Sequence, residues 1–535
     1  MTTAVVGAGD ERVAGLRERT REITAAAAPV VVAVLVPVLL FGWRALHAPI
    51  NFDGAMNLQV AASLAAGDGY TRAFGDVEAF PHEVQTNGPY VYAAALLIRV
   101  LGSSLLGFQA ANLLFVGLCA ALVARLLRDH PVLRLVGPTL VLVGVPSIAV
   151  YALGGLGEVP TTTFLLAAVL ALAAALRSPE QAPRWVFGAA VAFGAALATK
   201  TFAIGAAAGL AAGLAPVLLA APTRRDRVRV ALATLGVGVV PAVRELHKLV
   251  SLGSVAEYRH WWNVERSATS DQAGLEDSGS NVVSTFFDHL DELAHQVGFP
   301  APLVAVVLFL PLVWVAAVVV RRWRQAGPGA VLRDPHLSVL VMLAGLAGTY
   351  ILWWLCLLPE AKLWIRRMLP GLVALHVLYL FMVPALVAGV RRRDQGRWRR
   401  LAGVAGLLAV VAVVVPYGWG RLDRNGHDLV EGQRQWLAAE EAAAADVRAG
   451  DDLRWYGDGW WTAPAVSLLA GTDLRDLSEA AADDGCDMDA DRDRLVWDLD
   501  ARLIAGHPST RDGKFTFTEV ANHGGRVRIY AVGCG

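Results

Sequence analysis

The chain has 535 residues, 55% of them hydrophobic, and its 47 basic side chains match its 47 acidic ones. A soluble protein of this length does not need so many apolar residues, so composition excludes that class and points to a multi-pass membrane protein. The zero net charge conceals a division: residues 418–535 carry 13 Lys and Arg against 22 Asp and Glu, and the rest of the chain is basic by the same margin.

The first 26 residues are polar and charged. No small-residue cleavage site follows a short apolar core, so the first apolar helix reads as a retained anchor. Eleven spans are predicted, near 28–47, 105–124, 135–153, 160–176, 185–198, 202–221, 230–250, 299–320, 337–357, 367–388 and 401–417. Between the first two, residues 54–66 are apolar at helical spacing and stop at Gly67-Asp68-Gly69, and 89–101 is too short to span. Both read as helices lying along the membrane surface. Segments 185–198 and 202–221 form a hairpin with Lys200 at its outer tip, because basic loops flank the pair on both sides. Residues 251–298 hold Tyr258-Arg259-His260-Trp261-Trp262 and then a polar stretch. The tail reads as a small α/β domain, with helices at 429–449 and 463–470 and strands at 453–457, 494–499, 515–520 and 526–532. The expected division is an N-terminal segment 1–27, a membrane domain 28–417 and a soluble domain 418–535.

Alternate connections are rich in arginine, from Arg12, Arg17, Arg19 and Arg21 to Arg397, Arg399 and Arg400. The positive-inside rule puts these in the cytoplasm, the N-terminus with them, and the tail outside the plasma membrane. Cys119 and Cys356 lie in apolar helices as packing residues. Cys486 and Cys534 could pair in an extracytoplasmic tail, which two cysteines alone leave open. Gly7-Ala8-Gly9 lacks the preceding strand of a dinucleotide loop. The run Asp487, Asp489, Asp491 and Asp493 imitates a calcium loop but has Arg492 where glycine is required.

Two lone acids stand out. Asp53 follows the first span in Asn51-Phe52-Asp53-Gly54, and Glu158 follows the third in Gly154-Gly155-Leu156-Gly157-Glu158. Asp53 reads either as the N-cap of the 54–66 helix or as a general base for an acceptor hydroxyl. Glu158 reads either as a loop acid helped by the next helix dipole or as a group lining a wet interfacial cavity, because insertion into the bilayer core costs about 2.5–3.5 kcal/mol. The chain has four lysines, Lys200, Lys248, Lys362 and Lys514. The first three fall at outer ends of spans, against the positive-inside trend, and Arg366 and Arg367 join them. Such cations either snorkel to head groups or hold a lipid phosphate.

This order resembles the GT-C membrane glycosyltransferases, among them bacterial lipid-A aminoarabinose transferases, protein O-mannosyltransferases and actinobacterial arabinofuranosyl- and mannosyltransferases. The resemblance covers roughly 28–390: an acid after helix one, surface helices in the first outer loop, an acid before helix four, Lys at an outer helix end, and basic residues before a late helix. Together with the eleven spans and the tail read above, it implies a GT-C-like fold of about eleven membrane helices followed by a small extracytoplasmic α/β domain. It also implies a polyprenyl-phosphate sugar donor, with mannose or arabinofuranose leading, and a glycan, lipid or protein acceptor. On this resemblance Asp53 and Glu158 are catalytic, and Lys200, Lys362, Arg366 and Arg367 hold the donor phosphate. Asn87, Tyr90, Arg259 and His260 are the candidate substrate contacts. Two departures are visible: Asp53 is followed by Gly54 rather than a second acid, and Asn87-Gly88-Pro89 stands in place of a His/Lys-Pro-Pro signature. A divalent cation is the one cofactor left open. Membrane lipids are expected partners and nucleic acid is not.

The main alternative is a transporter or flippase of a lipid-linked saccharide. Transporters place ionisable groups near the bilayer midplane, whereas here charges cluster at helix ends, with Arg244, Glu245 and His247 as exceptions near the outer end of the seventh span. A third reading is a binding protein using Trp460 and Trp461 of the tail as a sugar-stacking surface, or else burying them as core.

Overall fold

A segment inside hydrocarbon must satisfy its own backbone hydrogen bonds, and a helix does so within itself. The apolar runs of this chain fold accordingly. The computed structural model describes residues 28–50, 52–72, 79–81, 87–145, 148–273, 282–358, 363–391, 427–457, 462–477, 488–498 and 515–534.

The first apolar helix is α1 (Ala28–Ala45). Helices α2 (Phe52–Ala66) and α3 (Pro89–Leu101) follow, and then α4 (Leu105–Leu126). The stretch expected as one span at 135–153 is two helices, α5 (Pro131–Gly144) and α6 (Ile148–Leu153). Val145 ends α5 in extended backbone, φ −70° and ψ 129°. Pro146 comes next in the sequence, and a proline ring disfavours the helical conformation at the residue before it. Helix α7 (Glu158–Arg177) begins two residues earlier than expected, and α8 (Ala182–Thr199) precedes a 3₁₀ turn, Thr201–Ala206, that leads into α9 (Ala207–Ala220). Helices α10 (Arg224–Ala233) and α11 (Val239–Leu252), joined by a 3₁₀ turn, form the seventh expected span. The 251–298 region, read as a cluster and a polar stretch, contains two helices, α12 (Val255–Ala273) and α13 (Val282–Val297). Helices α14 (Ala301–Ala326), α15 (Pro328–Leu332), α16 (Pro335–Cys356) and α17 (Leu369–Arg391) complete the membrane part.

Among the described residues, nine helices or helix runs are long and apolar enough to cross a membrane. The expected eleven differ by the broken 135–153 stretch and by 401–417, which lies outside the described residues. Helix α7 is the most enclosed of the nine. It packs against α4, α8, α9, α16 and α17, so its first turn opens at the centre of the bundle.

The tail contains α18 (His427–Ala449), α19 (Ala463–Ala470) and a sheet of β1 (Arg454–Gly457), β2 (Arg475–Asp476), β3 (Asp493–Trp497), β4 (Phe515–His523) and β5 (Val527–Cys534). The strand order is β2-β1-β3-β5-β4, with β1 parallel to both neighbours and β3, β5 and β4 antiparallel. The two-residue β2 carries too short a pattern to be read from sequence. Cys534 is disulfide-bonded, Cys119 and Cys356 are free, and Cys486 lies outside the described residues, as do Trp460 and Trp461. The tail rests on the membrane part: α19 packs on α2, Gln59 Nε2 donates to the Pro464 carbonyl at 2.9 Å, and Ala465 and Leu468 belong to the same apolar core as the membrane helices.

Candidate active site

The two acids predicted from sequence lie in the first turns of two helices, where the positive end of the dipole favours a carboxylate. Asp53 is in the first turn of α2 and Glu158 in that of α7. Helix α2 begins at Phe52, so Asp53 lies inside the helix rather than capping 54–66. The turns are fastened to each other. Asn57 Nδ2 donates to the Gly155 carbonyl at 2.7 Å, and a Cβ on Gly54 would overlap the Gly154 carbonyl. This close approach leaves no room for a side chain at the position after Asp53.

Both carboxylates are buried and paired with cations. Glu158, expected at a wet interface, is 1% exposed. A carboxylate so enclosed needs a partner, and Lys200 Nζ supplies one, donating to Glu158 Oε1 at 3.2 Å. Arg366 Nη1 donates to Asp53 Oδ2 at 2.9 Å. Lys200 sits in the extended residue between α8 and its following 3₁₀ turn. Arg366 and Arg367 lie on the 3₁₀ turn Ile365–Met368 that opens into α17, and both guanidinium groups rest on the Trp364 ring, at 4.7 and 5.0 Å from its centroid.

The two pairs form one electrostatic unit. Burial pulls the Lys200 ammonium below its ordinary value; Glu158 and Asp53 oppose that pull and Arg366 adds to it. Arg367 also feels the charges of Arg366 and Glu158. Among the described residues, then, three cations face two carboxylates at the ends of apolar helices. Lys362 lies outside the described residues.

Asn87 lies beside this unit, its backbone N–H donating to the Thr199 carbonyl at 3.2 Å and its side-chain oxygen accepting from Tyr70 at 2.9 Å. Tyr90 is fully buried, its hydroxyl donating to Asn112 Oδ1 at 2.9 Å. Asn112 in turn donates to Gln109 Oε1 and to the Leu153 carbonyl. Arg259 and His260 are exposed on α12, and the described contacts bring neither to the ion pairs. A divalent cation needs converging oxygen, nitrogen or sulfur ligands. Here both carboxylates hold cationic side chains, and no three His, Cys, Asp or Glu side chains converge among the described residues. The described residues of this unit do not form a metal site.

A second ionic cluster was not assembled from the sequence. Arg244 Nη2 and Lys248 Nζ reach Glu265 at 2.8 and 3.0 Å, and Arg244 Nη1 reaches Glu245 at 2.6 Å. The basic members were visible as oddities of the seventh span; Glu265 lies on the next helix, and spacing gives no sign of the pairing.

The helices and the buried charged unit define a polytopic membrane protein of the GT-C fold. The chain is similar in structure to ArnT from Cupriavidus metallidurans bound to undecaprenyl phosphate, at TM-score 0.58 and 14% identity, covering 95% of this chain and 98% of that one. The apo state of ArnT aligns over the same shares at TM-score 0.51 and 14% identity. At that identity the likeness concerns the fold alone. No family model matches the chain, and no curated protein matches it by sequence.

Proposed function

We propose that the chain is a glycosyltransferase that moves a sugar from a polyprenyl-phosphate donor to a glycan, lipid or protein acceptor outside the cell. The observation that carries this reading is the buried unit of Asp53, Glu158, Lys200, Arg366 and Arg367, with one more cation than carboxylate among the described residues. A sugar phosphodiester brings one negative charge and a lipid tail, and such a site suits both. The solved structure of ArnT with undecaprenyl phosphate supports the same class of donor. Mannose and arabinofuranose are the sugars proposed, with the N-terminus cytoplasmic and the tail extracytoplasmic at the plasma membrane.

In the proposed reaction the acceptor hydroxyl attacks the anomeric carbon as the carbon–oxygen bond to phosphate breaks. The electron pair of that bond stays on the phosphate oxygen, which Lys200, Arg366 and Arg367 hold. The hydroxyl proton passes to the Asp53 carboxylate. Glu158 keeps the Lys200 ammonium in place. Because phosphate is already a good leaving group beside cations, alignment and charge stabilisation carry most of the catalysis, and a single displacement inverts the anomeric centre.

Purified protein incubated with synthetic polyprenyl-phosphate sugars tests this. Asp53→Asn keeps an oxygen for Arg366 yet cannot take the proton, and transfer is expected to fall about 10²–10⁴-fold. A variant with undiminished transfer would place the base elsewhere, and a product with retained configuration would overturn the single displacement. Absence of transfer from every donor by the wild type would overturn the glycosyltransferase reading.

A further inference from the structure

The Lys200 turn is held from outside by Asn87 and Gly88 of the first outer loop. Helix α8 ends at Thr199, and a carbonyl at a helix C-terminus lacks its intrahelical partner. The Thr199 carbonyl finds one in the Asn87 N–H, at 3.2 Å. The next residue, Gly88, has φ +54°, and a Cβ there would come within 2.9 Å of the Ala198 carbonyl. Two successive residues of the first outer loop thus lie on two successive residues of the α8 end. The strap is anchored at its side chain as well, because Tyr70 OH donates to Asn87 Oδ1 at 2.9 Å.

Tyr70 is itself held. It is 2% exposed and stacked on Phe80 at 4.1 Å between centroids, and His247 meets both rings edge-on. Tyr92 OH lies 2.6 Å from His247 Nδ1. His247 belongs to α11, which Arg244 and Lys248 bind to Glu265 of α12. Contacts therefore run without interruption from α12 through α11, Tyr70 and Asn87 to the residue preceding Lys200.

We propose that Tyr70 and Asn87 are positioning residues that strap down the α8 end and so set the Lys200 ammonium against Glu158. The inference rests on the reading of Lys200 as a phosphate-holding group. It deepens that reading by giving Asn87 a role through Lys200 instead of direct substrate contact. Lys200 has extended backbone, φ −148° and ψ 127°; its N–H donates to the Ala196 carbonyl at 2.9 Å and its carbonyl accepts from the Ala203 N–H at 3.0 Å, and the strap adds the hold on Thr199 and Ala198 from outside the turn. Loosening the strap lets the ammonium swing away from Glu158 into water.

The test is lysine acylation of the full-length protein in lipid nanodiscs, using acetic anhydride across a pH series and reading each lysine by mass spectrometry. Only the unprotonated amine reacts, so the midpoint of the profile reports the ammonium's surroundings. Tyr70→Phe and Asn87→Ala are expected to raise Lys200 acylation about 3- to 10-fold, the weight of one buried hydrogen bond. They are also expected to move its midpoint up toward ordinary lysine as burial is relieved. Asn87→Asp, which keeps an oxygen facing Tyr70, restores the wild-type rate. Lys248, which is fully buried, reports general loosening and is expected to stay unreactive. Unchanged Lys200 reactivity in both folded variants overturns the proposal, as does Lys248 reactivity rising in step with Lys200. Gly88→Ala, strained at its positive φ, provides a third variant with the same expected direction should Tyr70→Phe not fold. Because the labelling needs no donor, a wild type without transfer activity refutes the glycosyltransferase reading while leaving the strap testable. Where transfer is measurable, donor KM rises by the same factor and kcat changes less.

Discussion

Removing one member of the Lys200–Glu158 pair should cost far more than removing both. At 3.2 Å, two unit charges attract by about 5 kcal/mol at an effective dielectric of about 20. Taking both from water costs a comparable amount, so the pair as a whole is close to neutral for stability. Lys200→Met leaves Glu158, 1% exposed, as a buried charge without that partner, at a cost of about 3–5 kcal/mol. Lys200→Met combined with Glu158→Gln replaces the pair by neutral groups of similar volume and should fall within about 1 kcal/mol of wild type. With Glu158→Gln alone costing a similar amount, the two single losses sum to about 6–10 kcal/mol against about 1 kcal/mol for the double, so the coupling energy is at least about 5 kcal/mol, well above the scatter of about 0.5 kcal/mol for independent sites. The assay is reversible unfolding of the purified protein in mixed micelles by a denaturing detergent, followed by tryptophan fluorescence. A double variant whose loss equals the sum of the two single losses would refute the ion pair as drawn.

Two further outcomes follow from packing and burial. Gly54→Ala drives a methyl into the Gly154 carbonyl, which is backbone and cannot swing aside. The loss should reach or exceed about 3 kcal/mol, while Gly188→Ala, with nothing within 4 Å of its Cβ, stays near neutral in the same melt. Glu440 on α18 is buried, and its carboxyl is raised well above the ordinary 4.5, by desolvation first and by Glu441 in addition. A raised carboxyl favours the fold below its unfolded value, and that contribution is lost as pH rises through the folded value. Glu440→Gln keeps an oxygen for Trp436 Nε1, now 3.0 Å from Glu440 Oε1. It should therefore raise the melting temperature at pH 8 and leave it unchanged at pH 4; a gain confined to acid would reverse the sign and refute the burial argument.

Much of the membrane part is legible because an apolar run of eighteen or more residues has few alternatives to a spanning helix. The failures have physical causes. Pro146 marks the break between α5 and α6, but the apolar count runs straight across it. Helix α13 reads as polar because polar and charged residues occupy its exposed face, although Phe286, Leu290, Leu293 and Val297 recur at helical spacing; Leu290 and Leu293 are buried. For the site, single residues are legible and pairings are not. Asp53 and Glu158 stand out because a charge beside apolar helices must serve a purpose or find a partner. Arg366 lies 313 residues from Asp53 and Lys200 lies 42 from Glu158, and no local periodicity connects such positions. Asn87 was legible only as a departure from a family pattern; its hold on Thr199 is a backbone contact that side-chain identity does not announce.

The charge balance of the site also constrains how the proposed reaction ends. Before transfer, three cations and two carboxylates among the described residues would face a donor phosphodiester of charge −1. Transfer leaves a phosphate monoester, whose charge at neutral pH lies between about −1.5 and −2, and puts a proton on Asp53. The carboxylate charge lost at Asp53 offsets the charge gained by the phosphate, so the negative charge facing these cations changes little during transfer. The leaving polyprenyl phosphate is therefore held most tightly while Asp53 is neutral, and its release depends on Asp53 passing the proton on. Asp53→Asn fixes that neutral state. It should bind polyprenyl phosphate more tightly than the wild type even though it transfers sugar far more slowly. A unit charge roughly 6 Å away at an effective dielectric of about 20 is worth about 3 kcal/mol, so at least a tenfold gain (~1.4 kcal/mol) should survive screening. Calorimetric titration of both proteins with a short-chain polyprenyl phosphate measures this. Equal or weaker binding by Asp53→Asn would show that Asp53 does not face the phosphate-holding cations during turnover, and would move the base away from the α2 turn.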